Sequence, residues 1–213
     1  MALIIDTPDD TTKEIVHLQA DSVTTVMRYL TANRASFKLV SAAEARVLAQ
    51  ASIRLGLVYE MGGGAPGQQP LTSAYGKRDG AFAAAYAPLV GAPSGACIYF
   101  AADNDFSQSQ IDTNVLPYFA ALAAAMDDSG FEVGVYGSGL VCGHVVAAKY
   151  ATKAWLSGSL GWTNSRAYLA AKPPELVLVQ SKMDTTLADI DVDTDIALAE
   201  FGDFLPFANA ATV

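Results

Sequence analysis

Two carboxylates two residues apart, Asp103 and Asp105, close the apolar run Cys97-Ile98-Tyr99-Phe100-Ala101-Ala102, which is too short for a helix and rich in strand formers. If the extended conformation persists past Ala102, alternation aims both acids to the face that carries Cys97, Tyr99 and Ala101. Neighbouring carboxylates oppose one another's ionisation. One can then hold a proton near neutral pH while the other stays charged, the division of labour of a general acid with a base or nucleophile. Asp103-Asn104-Asp105 is also good turn chemistry, and on this stretch alone both readings stay open.

The elements that must position these acids are a series of short apolar runs. Pro93-Ser94-Gly95 sets off the run at Cys97. Residues 2–5 read as a first buried strand ending on Asp6 before Pro8 breaks it. Val23, Val26, Met27 and Leu30 recur at helical spacing, and Phe37-Lys38-Leu39-Val40 reads as the second strand. Ser41 and Glu44 have the spacing of a capping box that opens a helix running towards Arg54. Residues 55–61 form the third strand, followed by a flexible loop around Gly62-Gly63-Gly64 and a helix from near Asp79. No Gly-Lys-Ser/Thr follows the glycines, so they are not a phosphate loop.

After the strand at Cys97, a helix capped by Ser107 or Ser109 is expected to bury Tyr118, Phe119 and Leu122, with Gly130 as its stop. Residues 131–138 form a fifth strand, 141–150 a helix, 153–157 a sixth strand, 175–181 a seventh and 188–195 an eighth, with Asp195 read as the cap of a final helix. Eight strands mostly separated by helical patterns predict an α/β fold, a compact (β/α)8 barrel of the TIM type spanning residues 1–213 as one domain. In such a barrel the carboxyl ends of the strands share one mouth, where Asp6, Glu60, Asp103, Asp105, Tyr136, Trp155, Gln180, Asp191 and Asp193 fall.

Composition narrows the function classes. The 213 residues are 52% hydrophobic and 16% charged, enough for a sizeable packed core. A formal charge of −9 leaves no basic patch, so neither nucleic acid nor an anionic membrane is an expected partner. Cys97 and Cys142 sit in apolar stretches and read as buried thiols. Residues 1–20 are too acidic for a secretory signal and no apolar run reaches spanning length. The chain is therefore expected to be cytoplasmic as synthesised, with delivery to any target outside the cell left to another system.

Only His17 and His144 are present, neither at a strand end, which weakens a histidine triad and a zinc site alike. Acids with aromatics and a glutamine in an open mouth suit carbohydrate: one acid protonates the glycosidic oxygen, another stabilises or attacks the sugar cation, and rings stack on sugar faces. A magnesium-dependent phosphoesterase is the chemical rival.

Ile5-Asp6, the Ile98–Asp105 segment, Gly134-Val135-Tyr136-Gly137-Ser138, Trp155 with Gly161-Trp162, Val179-Gln180 and Ile190-Asp191-Val192-Asp193 together resemble the glycoside hydrolase-like domain family DUF1906, itself similar to the family 25 lysozymes. The resemblance spans nearly the whole chain and implies a barrel acting on peptidoglycan or another polysaccharide, with no cofactor. By position it lays the lysozymes' Asp-x-Glu pair on Asp103 and Asp105, their first-strand acid on Asp6 and their last-strand acid on Asp191, with Asp193 beside it. Asp105, as proton donor, stands one methylene short of the lysozymes' glutamate; Asp103 is then the stabiliser or nucleophile. Glu60, Tyr136, Trp155, Gln180 and Asp193 are the expected substrate contacts. The alternative is a catalytically silent glycan-binding barrel.

Overall fold

The computed structural model describes residues 3–208. Eight strands close a barrel in sequence order: β1 (Leu3–Asp6), β2 (Val23–Leu30), β3 (Arg54–Tyr59), β4 (Cys97–Ala102), β5 (Glu132–Gly137), β6 (Lys153–Leu156), β7 (Leu176–Leu187) and β8 (Ile190–Ala197). The first seven run parallel, and β8 lies antiparallel to both β7 and β1. Only Ala188 and Asp189 separate β7 from β8, a hairpin turn far too short for a parallel crossover. The expected eight-stranded α/β barrel is thus present, with its last strand reversed.

Around it lie α1 (Ile15–Ala20), α2 (Ala42–Gln50), α3 (Ser73–Tyr86), α4 (Gln108–Gln110) leading through a π-helical turn into α5 (Leu116–Met126), α6 (Gly139–Ala147) and α7 (Ser165–Ala171). Met27, Val58, Cys97, Tyr99, Ala101, Trp155 and Leu178 fill the barrel interior, while the outward faces of the strands join the larger core beneath the helices. Cys97 and Cys142 are buried and free.

Two expected elements are corrected. Residues 23–30 form β2, not a helix: the strand is buried on both faces, so its apolar residues do not alternate and the helical spacing of Val23, Val26, Met27 and Leu30 is a coincidence. Residues 37–40 form a turn that touches β2 through a single bridge, Tyr29 to Leu39, and leaves Phe37 exposed. In addition, α3 starts six residues before Asp79, on Thr72 as its cap. The early turn is disguised by Gly76, where a Cβ would stand 2.1 Å from the Tyr118 carbonyl oxygen, so this glycine lets α3 pack on α5.

Candidate functional site

Strand direction places the acids. Asp6 ends β1, Asp103 follows Ala102 at the end of β4, and Glu60 follows Tyr59 of β3. In the reversed β8, Asp193 pairs with Asp6 and Asp195 with Ile4, one layer deeper. Asp6, Tyr29, Glu60, Asp103, Tyr136, Trp155, Gln180 and Asp193 line one central cavity of about 120 Å³ above Val58 and Ala101. Two shallower hollows join it. One, of about 340 Å³, shares Asp6, Tyr29 and Asp193 and extends past Asp184 and Asp191; the other, of about 430 Å³, shares Glu60 and Asp103 and extends past Asn33, Lys38 and Gln68. The mouth is therefore a cleft with a deep centre.

Gln180 organises that centre. Its Nε2 donates to Asp6 Oδ2 at 3.1 Å and to Asp193 Oδ2 at 2.7 Å, and its Oε1 accepts from the Gly158 amide and the Tyr136 hydroxyl, both at 3.0 Å. All four hydrogen-bonding positions of the amide are used, so the spacing of the two carboxylates is set from β7. Trp155 is buried beneath them, edge-on to Tyr99 and Tyr136, and its Nε1 donates to Asp195 at 2.8 Å. It is a floor, with no free ring face for a sugar.

Burial pushes the Asp6 carboxyl up to about 7, helped by the charge of Asp193 and opposed by the Gln180 bond. Burial also raises Asp103, to about 6, with Glu60 adding to the shift and Lys38 opposing it. Asp193 is raised by burial but holds an opposing bond from the Asp184 amide. A group whose folded pKa exceeds its unfolded value near 3.9 binds more protons when folded, so its contribution to stability is whole below that value and is lost as pH rises through the folded pKa. The Tm of Asp6→Asn relative to wild type should accordingly rise by about 5 °C between about pH 4 and pH 7, read by paired thermal scans.

Asp103 is held by the glycine run. Its amide donates to the Gly63 carbonyl at 2.9 Å, and a Cβ on Gly63 would stand 2.5 Å from Asp103 Cβ and 2.7 Å from its amide nitrogen. The loop read from sequence as flexible is the wall that fixes Asp103. Gly63→Ala should cost about 1–3 kcal/mol for the clash on top of the left-handed backbone penalty of about 1–2 kcal/mol, and should displace Asp103. Gly67→Ala, on the same loop with nothing within 4 Å of its Cβ, should cost only the left-handed backbone penalty of about 1–2 kcal/mol. Thermal denaturation together with glycan binding separates the two.

Two of the expected residues, Asp105 and Asp191, lie apart from the centre. Asp105 does not share the face of Asp103: Asn104 Oδ1 accepts from the Asp105 amide at 2.9 Å, turning the chain, and exposed Asp105 accepts from the Thr163 amide at 2.8 Å. Asp191 exposes its side chain at the rim, its backbone held by Thr7 and Asp9. Glu60 faces Lys38 Nζ at 3.6 Å. Asp195 caps no helix, since among the described residues nothing after β8 is helical; it points into the barrel. Tyr29 lines the cavity without any signal in the sequence, because the apolar spacing of residues 23–30 fits a helix and gives no inward face to this strand. Among the described residues no cluster of three or more His, Cys, Asp or Glu side chains is arranged to hold a metal ion, and no helix is long and apolar enough to cross a membrane.

Comparison with known proteins agrees with this architecture. The crystal structure of the Mycobacterium tuberculosis Tat-secreted protein Rv2525c in complex with L-tartrate superposes with a TM-score of 0.78 at 19% identity, covering 95% of this chain and 98% of that one. The bacterial lysozyme of Streptomyces coelicolor superposes with a TM-score of 0.57 at 13% identity, covering 99% and 98%. At such identities the likeness is one of fold. The uncharacterised protein YbfG of Bacillus subtilis is 32% identical over 142 residues, 59% of this chain and only 18% of YbfG, so the chain spans less than a fifth of that relative. The model of the family "Rv2525c-like, glycoside hydrolase-like domain" matches residues 16–197, well over half of the sequence, and the chain belongs to that family.

Proposed function

We propose that the chain is a hydrolase of cell-wall glycans, with peptidoglycan as substrate, in which Asp103 is the proton donor and Asp193 the charged carboxylate across the cleft. The observation that carries this reading is the convergence of Asp6, Asp103 and Asp193 from three strands on one cavity, with Asp103 held half-buried and its carboxyl raised to about 6. A neutral acid at the leaving oxygen and a hydrogen-bonded carboxylate opposite are the two groups that glycoside cleavage requires. Asp193 suits the charged role because Gln180 Nε2 and the Asp184 amide both donate to it. The flanking hollows favour a polymer laid across the mouth over a single sugar. Glu60, Tyr29 and Tyr136 contact it at the centre, and Asp191 at the rim. The lysozyme fold of a structural neighbour supports the same substrate class.

A second reading, a barrel that holds a glycan without cutting it, is favoured by Asp105. At the position where the family 25 lysozymes carry their glutamate, this side chain is shorter, exposed and bound to the Thr163 amide. Release of reducing ends from purified peptidoglycan, with the sedimented bound fraction measured in the same tubes, decides between them. Release supports hydrolysis; binding without release supports the second reading; neither removes peptidoglycan as the ligand.

A further inference from the structure

Below the cavity floor lies a carboxylate that the proposed chemistry does not use. Asp195 is buried inside the barrel, paired across the sheet with Ile4 on one side and Gln180 on the other. Its Oδ1 accepts from Trp155 Nε1 at 2.8 Å, while its Oδ2 meets no donor, among the described residues a unique case of a buried side-chain polar atom without a partner. A buried carboxylate oxygen left without a donor is expensive as an anion. The Asp6 carboxylate, itself an acceptor, neighbours it across the β1–β8 pair, and the two carboxyl groups interact favourably only through a proton between them. Asp6 already accepts from Gln180 and lies 3.5 Å from the Tyr29 hydroxyl, whereas Asp195 has only the Trp155 bond. The less solvated and less bonded oxygen keeps the proton.

We propose that Asp195 is a positioning residue held as a neutral carboxylic acid, whose Oδ2 hydroxyl donates to Asp6 from below and fixes the orientation of the Asp6 carboxylate without touching the ligand. Of the titratable groups facing the pair, Asp193 on β8 beside Asp6 opposes a second negative charge at that depth, the neutral Tyr29 hydroxyl on β2 donates to Asp6 alone, and Tyr136 on β5 and, farther across the cavity, Glu60 and Asp103 complete the surroundings. Lys38, the cation at this mouth, stands over Tyr29 and beside Glu60 and reaches neither member of the pair. Burial and the Asp6 charge accordingly push the Asp195 carboxyl well above the ordinary range. The inference stands whether the mouth cuts a glycan or only holds one.

The test is a carboxyl-carbon NMR titration of the whole chain labelled at aspartate, with Asp6→Asn and Asp195→Asn used to assign the two resonances. The Asp195 resonance of wild type should stay that of a protonated acid from about pH 5 to pH 8 while Asp6 titrates. Asparagine at 195 keeps a donor towards Asp6 and an acceptor for Trp155, so Asp195→Asn should leave the Asp6 midpoint within about half a pH unit of wild type. An ionised Asp195 at neutral pH overturns the proposal. So does a fall of about one unit or more in the Asp6 midpoint in Asp195→Asn, the signature of removing a buried negative charge. Should the variant fail to fold, the wild-type Asp195 resonance alone decides.

Discussion

Asp103→Asn should lower the release of reducing ends from peptidoglycan by about 10²–10⁴-fold while leaving the sedimented fraction within a few-fold of wild type. Asparagine keeps the shape of the side chain and removes the transferable proton, so the loss falls on turnover and not on binding. The side chain is suited to the task because burial, with the charge of Glu60, raises its carboxyl to about 6 against the opposing charge of Lys38. Turnover should therefore fall as pH rises through about 6, where the donor loses its proton, and Asp103→Asn should abolish that limb with the activity. Asp105→Asn should change turnover by less than about fivefold, because this carboxylate is exposed, outside the cavity lining, and engaged with the Thr163 amide. The reverse order of the two variants would return the donor role to Asp105 and require the loop after β4 to rearrange when glycan binds.

The difference between these neighbours marks where the sequence stops being readable. β4 is legible because Pro93-Ser94-Gly95 isolates six strand-forming residues, and alternation carries correctly from Tyr99 through Ala101 to Asp103. One residue further the rule fails, since Asn104 uses its own side chain to bond the next amide and ends the extended run. β2 fails for a different reason: a strand covered on both faces has no period of two to find, and its four apolar markers fit a helix equally well. Asp195 was within reach, because Asp191, Asp193 and Asp195 alternate and must share a face once the segment is a strand. What hid it was the direction of β8, which turns its later residues into the barrel and not out of the mouth. The glycines at 62–64 show their chain freedom in sequence, but that one of them lies against Asp103 is a fact of the closed barrel alone.

Glu44→Gln should destabilise the protein by about 3–5 kcal/mol, a fall in Tm of roughly 10 °C or more in thermal denaturation. Glu44 has the sequence spacing of a capping residue, and Ser41 Oγ does accept from its amide at 3.0 Å, but its carboxylate turns inward. It accepts there from Arg28 Nε at 2.7 Å and Nη2 at 3.2 Å, and from the Thr11 amide at 3.0 Å and hydroxyl at 2.9 Å. Both charged side chains are buried, so the amide leaves the guanidinium without its counter-charge in a place water does not reach. Arg28 also donates through Nη1 to the Thr7 carbonyl at 2.7 Å, directly after Asp6. The pair thereby ties α2 and β2 to the loop that follows Asp6. Replacing both members with apolar residues, Arg28→Met with Glu44→Leu, should recover much of the lost stability, since no charge is then stranded. Glycan turnover should recover less, because Thr7 and Thr11 lose their anchors and Asp6 is no longer fixed from behind. Equal recovery of both in the double variant would mean that the pair serves stability alone.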